Sequence, residues 1–210
     1  LWSLVENNFN ETEFELSQNR DQKFNVDVFS GRIDLEKKFK NEMNLEYGGL
    51  YLKAKSNSDS DIFDFEKNKN ETLNYDIKEE NLAAYIQFSG KFKKVDFSFG
   101  LRAENTNVYA KYKTDLLPSI DKNYTNLFPK AQFSFAIDST KSVNLNYAKN
   151  IVRPKYSSLS QIATYINPYF LYGSSIKLGP AFTDEIAGNL QYREKSVKIS
   201  YYQTENTVNQ

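Results

Sequence analysis

Val95-Asp96-Phe97-Ser98-Phe99-Gly100-Leu101-Arg102-Ala103-Glu104 alternates apolar and polar residues without a break. Successive side chains of an extended strand point to opposite faces. Val95, Phe97, Phe99, Leu101 and Ala103 therefore share one side, and Asp96, Ser98, Gly100, Arg102 and Glu104 the other. Such a period of two predicts a strand with one greasy face and one wet face.

The same alternation recurs on both sides of this stretch. Met43, Leu45, Tyr47, Gly49 and Tyr51 keep step, as do Leu82, Ala84, Ile86 and Phe88. Leu127, Pro129, Ala131, Phe133, Phe135 and Ile137 do so as well, followed by Val143, Leu145 and Tyr147. Ile186, Gly188, Leu190 and Tyr192, and then Val197, Ile199 and Tyr201, complete the series. An earlier strand is predicted over Phe24 to Phe39, and a weaker one near Thr12 to Ser17.

The connections alternate in length. Tight polar turns are predicted at Lys38–Glu42, Lys91–Lys94, Asp138–Lys141 and Arg193–Ser196. Long polar loops are predicted at Ser56–Asn74, Thr114–Asn126 and Pro154–Phe182. Transmembrane barrels carry short turns at one end and long loops at the other. The segments Tyr75–Phe92 and Val95–Lys113 exceed the ~5–6 residues of common strands. They also exceed the roughly 9–11 residues that a membrane crossing needs. Aromatics at strand ends (Phe39, Phe92, Tyr109, Tyr112, Phe128, Tyr147 and Tyr192) fall where membrane barrels place their girdles. A soluble β-sandwich shares the alternation but accounts for neither the turn asymmetry nor the strand length.

Composition narrows the function classes. Lys plus Arg and Asp plus Glu are 27 each, so there is no excess positive charge with which to displace nucleic-acid counterions. Phe and Tyr number 16 and 15, yet mean hydropathy is −0.66, which suits sheets wetted on one side. Without Cys there is no disulfide or thiolate site, and without His there is no Ser-His-Asp or Cys-His catalysis. No catalytic residue, metal site or cofactor is expected. No run approaches the ~20 apolar residues of a spanning helix. An export signal is expected to lie outside this stretch.

Several segments in order resemble the outer-membrane β-barrel family of TonB-dependent receptor-like proteins, Bacteroidetes type. Glu79-Glu80-Asn81-Leu82-Ala83-Ala84-Tyr85 is similar to an "E-x-x-x-A-A-Y" strand opening. Gly100-Leu101-Arg102-Ala103-Glu104-Asn105-Thr106 is close to "G-L-R-x-E-x-T". Leu127-Phe128-Pro129 resembles "L-F-P-S". Tyr147 to Tyr156, with Arg153-Pro154, then Asn167-Pro168, resembles "Y-S-x-x-I-x-R-P-x-Y … N-P". Pro180 stands where the family has a Pro before its "T-x-x-x-E". The chain departs from the pattern at Ser174-Ser175-Ile176-Lys177-Leu178.

The resemblance implies an all-β antiparallel meander of about eight to ten strands. It would form part of a transmembrane barrel over residues 1–210. Receptors of this kind have about twenty-two strands, so a plug, a TonB box and further strands are expected outside this chain. It further implies uptake of a bulky nutrient across the bacterial cell outer membrane. Outer-membrane lipid, a TonB-type energising complex and a surface lipoprotein would be the partners. A non-transporting structural or adhesive barrel, and a soluble carbohydrate-binding domain, are the alternatives.

The motif residues Gly100, Leu101, Arg102, Glu104, Phe128, Pro129, Arg153, Pro154, Tyr156, Asn167, Pro168 and Pro180 read as structural. Arg153-Pro154 is expected to terminate a strand, because Pro cannot donate to the ladder. Arg102 and Glu104 are expected to line a lumen as a charge pair. Asn57, Asp59, Asp61 and Asp64 alternate like calcium ligands but lack the Gly and final Glu of that loop, so a solvated loop tip is expected.

Overall fold

A computed structural model describes residues 2–7, 14–65, 68–113, 119–155, 164–167, 170–172 and 179–206. The strands are β1 (Trp2–Asn7), β2 (Phe14–Lys38), β3 (Asn44–Asp64), β4 (Lys69–Phe92), β5 (Val95–Tyr112) and β6 (Ile120–Asp138). They continue as β7 (Lys141–Val152), β8 (Thr164–Asn167), β9 (Phe170–Tyr172), β10 (Ala181–Tyr192) and β11 (Lys195–Glu205). Nine of them form one antiparallel sheet in the order β1-β2-β3-β4-β5-β6-β7-β10-β11, while β8 and β9 pair separately within the β7–β10 connection. The main sheet is an open meander: β1 and β11 are its two edges and do not meet.

Tight turns at residues 93–94, 139–140 and 193–194, and a slightly longer one at 39–43, all fall at one end. Lys93, Arg193 and Glu42 take the left-handed backbone there, with φ of 56°, 52° and 55°. Thr140 caps its own turn, donating from its amide at 2.8 Å and its hydroxyl at 2.7 Å to Asp138 Oδ1. These bonds hold the Asp138 carboxyl below the ordinary carboxylate range, the hydroxyl contributing most.

At the other end the sequence expectation needs correction. The long loop predicted at Ser56–Asn74 is mostly sheet, since β3 runs to Asp64 and β4 starts at Lys69. Likewise β6 begins at Ile120, inside the loop predicted at Thr114–Asn126, and β2 joins the two strands predicted between Thr12 and Phe39. Ser, Asn and Asp read as loop formers. They are accommodated here because residue-for-residue pairing continues from Asn44↔Ser89 to Asp64↔Lys69. Asn57, Asp59, Asp61 and Asp64 therefore stand on a strand rather than at a loop tip. The described residues contain no acid cluster able to hold a metal.

Register fixes which side chains share a face. Ile33, Gly49, Ala84, Ala103 and Leu127 lie in one row across β2 to β6. This is the apolar face, and it is exposed: Leu35, Tyr47, Leu82, Ile86, Phe99, Leu101, Leu127, Leu145, Ile186, Leu190 and Ile199 are all accessible. From Phe29–Leu35 on β2 to Val197–Tyr201 on β11 no charged residue interrupts the band. A soluble sandwich would bury such a face against a second sheet. On β5 it covers Val95 to Ala103, which at ~3.3 Å per residue and ~40° tilt spans roughly 23 Å. That matches the ~25 Å apolar belt of outer-membrane barrels.

The reverse face is where burial occurs. Glu104 and Thr106 are 3% and 1% exposed, and Ser56, Ser58, Asn81, Ala83, Ala110 and Phe128 are buried beside them. In a single sheet only one face becomes crowded when the sheet curls, so this is the concave side. Above the band the polarity changes over. The outer face turns to Lys53, Glu80, Asn105 and Thr125, while the inner face gathers the apolar cluster Tyr75, Ile77, Ala110 and Tyr112. There water bathes the outside and the inner side chains shelter one another. Two aromatics predicted as girdle residues, Tyr112 and Phe128, belong to this inner face instead. Phe39, Phe92 and Tyr192 do ring the tight-turn end, each beneath a cation: Lys37, Lys93 and Lys141 at 5.4, 5.4 and 5.6 Å. Such pairs suit a headgroup boundary, where the ring meets lipid and the charge meets water.

Candidate functional site in the concave wall

Alternate residues of β4 and β5 build a polar lattice on the concave face. Glu79, Asn81, Ala83 and Tyr85 stand opposite Val108, Thr106, Glu104 and Arg102. Asn81 Nδ2 donates to Thr106 Oγ1 at 2.7 Å. Arg102 Nε lies 3.2 Å from Glu104 Oε1. From beyond the end of β7, Arg153 reaches across β6 to hydrogen-bond Glu104, and its Nε lies 3.6 Å from Glu79. Two acids thus meet two guanidiniums, which is how charges persist in a place where one alone would be costly. Tyr124, on the adjoining stretch of β6, has its phenol pushed up by burial.

The lattice is made possible by a break in pairing. β6 pairs with β5 from Ile120 to Phe135, yet its ladder to β7 begins only at Lys130↔Ala148. Pro129 sits at that boundary and has no N–H to give to β7. Above it β6 and β7 part. Phe128 there stacks on Phe182 of β10 with centroids 6.3 Å apart, and carries the Arg102 guanidinium 4.8 Å above its ring. A small cleft of about 50 Å³ is bounded by Glu79, Ile120, Tyr124, Arg153, Pro154 and Pro180.

Below the lattice, at the depth of the apolar band, the concave wall holds a groove of about 420 Å³. Arg32, Tyr85, Gly100, Arg102, Phe128, Lys130 and Lys149 line it. Tyr85 spans the groove's floor from β4 over Gly48 of β3 to hydrogen-bond Asp34 of β2, which also holds Arg32 Nε at 2.7 Å. Gly48 is required: a Cβ there would lie 2.8 Å from Tyr85 Cε1 and 2.2 Å from the Ile33 carbonyl oxygen. Across the outer face above the band, Lys113 binds Asp59 at 3.1 Å, and that bond raises its pKa.

The motif residues therefore divide. Gly100, Arg102, Glu104 and Phe128 share the concave face, and Arg153 joins them. Pro154 and Pro180 flank the small cleft. Leu101 and Pro129 face each other on the outer side. Asn167 ends β8, whereas Tyr156 and Pro168 lie outside the described residues. Glu79, Tyr85 and Thr106 stand in the quoted motifs, but the sequence assigned no site role to them or to Asn81, Arg32, Asp34 or Lys130. The signal for Glu79, Asn81 and Thr106 was present as period-two polar positions facing Arg102 and Glu104 in an adjacent strand, but register had to be known to read it.

The same architecture occurs in solved structures. The chain resembles the copper transporter OprC, at 12% identity with a TM-score of 0.64, covering 87% of this chain and 30% of that one. It resembles the ferric citrate transporter FecA at 11% identity and a TM-score of 0.55, with 88% of this chain and 28% of that one covered. The ferric yersiniabactin uptake receptor FyuA from Yersinia pestis gives 11% identity and a TM-score of 0.55, with 89% and 29% covered. The chain thus spans a little under a third of these structures, and the likeness is one of fold. No curated protein matches it. The outer membrane protein beta-barrel family matches residues 3–210. An apolar belt outside, a polar wall inside and a match along nearly its whole length make this chain a member of the outer membrane protein beta-barrel family, located in the bacterial outer membrane.

Proposed function

We propose that this chain is part of the barrel wall of a TonB-dependent receptor-like transporter of the Bacteroidetes type, and that the whole protein takes a bulky nutrient across the outer membrane. The carrying observation is the pairing of an uncharged exposed belt with a concave face rich in buried polar and ionic groups. Lipid explains the first and a hydrated or filled lumen the second. Both edges of the sheet remain to be paired, and an exposed edge in a bilayer is untenable, so further strands close the barrel. A plug inside it, a TonB-type energising complex and a surface lipoprotein complete the proposed machine. The protein acts by binding and passage rather than by catalysis. The long motif residues serve it structurally: Arg153, Glu104 and Arg102 hold the mouth of the lumen, and Pro129 opens the wall between β6 and β7.

The test is growth and uptake. Deleting the gene for the whole protein should abolish growth on one scarce nutrient among a panel of iron chelates, glycans and peptides. Growth should depend on the inner-membrane energising complex. Loss of no nutrient, with outer-membrane integrity failing instead, would replace transport with a structural role.

A further inference from the structure

The groove beside Lys130 has a charge pattern that its structural role does not explain. Among the described residues, every charged one lining it is basic: Arg32, Arg102, Lys130 and Lys149. Three have acids at hand, Asp34 at 2.7 Å, Glu104 at 3.2 Å and Asp184 at 3.7 Å. Lys130 makes no ion pair with any described residue. Its row partners are Gly100 on one side and Ala148 on the other, and neither carries a side chain that could reach its ammonium. Along that row the first acid is Glu185, beyond Ala148 and two strands from Lys130, roughly 10 Å away. Phe128, at the groove's edge, is itself buried against the Arg102 guanidinium and the Phe182 ring, so the groove offers charge rather than an aromatic face.

We propose that this groove binds an oxyanion, a carboxylate, phosphate or sulfonate, with Lys130 as the principal contact. The inference rests on the transport reading for its purpose, though not for its geometry. The ammonium of Lys130 and the guanidinium of Arg102 hold the oxyanion, over a floor at Gly100. Gly100 keeps that floor low, since a Cβ there would already touch the Gln87 side chain at 3.5 Å. The occupant is a diffusible solute. An acidic segment of the whole protein lying in the same groove is the competing occupant, and it would exclude the solute.

The experiment uses the whole protein in detergent micelles and a trisulfonated hydroxypyrene dye as probe, read by fluorescence anisotropy. The dye should bind, and pyrophosphate but not an uncharged oligosaccharide should displace it. Lys130→Glu should weaken binding at least about tenfold, while Lys130→Arg keeps it within about threefold. Lys198→Glu reverses a charge on β11 away from the groove and should bind as the unchanged protein does. This control separates a local loss from general repulsion. Gel mobility before and after heating establishes that each variant is folded. Absence of binding to the folded unchanged protein, or equal binding by folded Lys130→Glu, overturns the proposal. Binding is measured without membrane or energising partner, so uptake failing while binding persists would count against the transport reading alone.

Discussion

At the residue scale, Gly48 and Arg153 each carry more structure than their size suggests. Gly48 lets the Tyr85 ring lie across β3 and reach Asp34. Gly48→Ala should displace that ring and destabilise the folded barrel by about 1–3 kcal/mol, as overpacking does. Urea unfolding of the protein in lipid vesicles reads the loss, and Gly31→Ala, with open space around its Cβ, is the silent control. Arg153→Ala leaves Glu104, at 4% side-chain exposure, with Arg102 as its one cation among the described residues and a long hydrogen bond from Asn81 at 3.5 Å. Breaking a buried pair costs about 3–5 kcal/mol. Because Arg102 remains and Arg153 is about one-third exposed, about 1–3 kcal/mol is expected here, with Arg153→Lys recovering part of it. Asp138 adds a pH dependence. Its folded carboxyl is held low by Thr140, so the turn's contribution is present at neutral pH and is lost as pH falls below about 4. Asp138→Asn should lower the unfolding midpoint at pH 7, and the gap should close on acidification.

At the scale of the element, β5 divides at Ala103 into a part that meets lipid and a part that meets water. A mid-belt Arg costs roughly 2–4 kcal/mol in a membrane barrel. Phe99→Arg should therefore cut the folded fraction in vesicles sharply, whereas Asn107→Arg, on the same face beyond the belt, should leave it unchanged. Gel mobility before and after heating measures both. β5 is also the strand that the sequence revealed most fully, because each of its faces is chemically uniform for nine residues or so. The upper parts of β3 and β4 were illegible for the opposite reason. Ser56, Asn57, Ser58, Asp59, Ser60 and Asp61 carry loop chemistry, and only their pairing with Thr72 to Ile77 makes them a sheet. Tyr112 and Phe128 misled as girdle aromatics because a strand's aromatic says nothing of which face it serves until the register is known. The ion lattice was half visible, since Arg102 and Glu104 share a strand. Glu79 and Arg153 reach them from β4 and from beyond β7.

At the scale of the whole molecule, hydrocarbon touches the odd residues of β5 from 97 to 103 and water reaches the even ones. This stretch contains no Cys, so single cysteines can be introduced from 97 to 103 in the protein in lipid vesicles and spin-labelled. Collision with oxygen, which concentrates in lipid, and with a water-soluble nickel chelate is then measured at each site. Oxygen accessibility should peak at 97, 99, 101 and 103 and nickel accessibility at 98, 100 and 102, the two profiles in opposite phase. Profiles that rise and fall together, or nickel reaching 99 and 101 freely, would contradict a membrane-spanning wall.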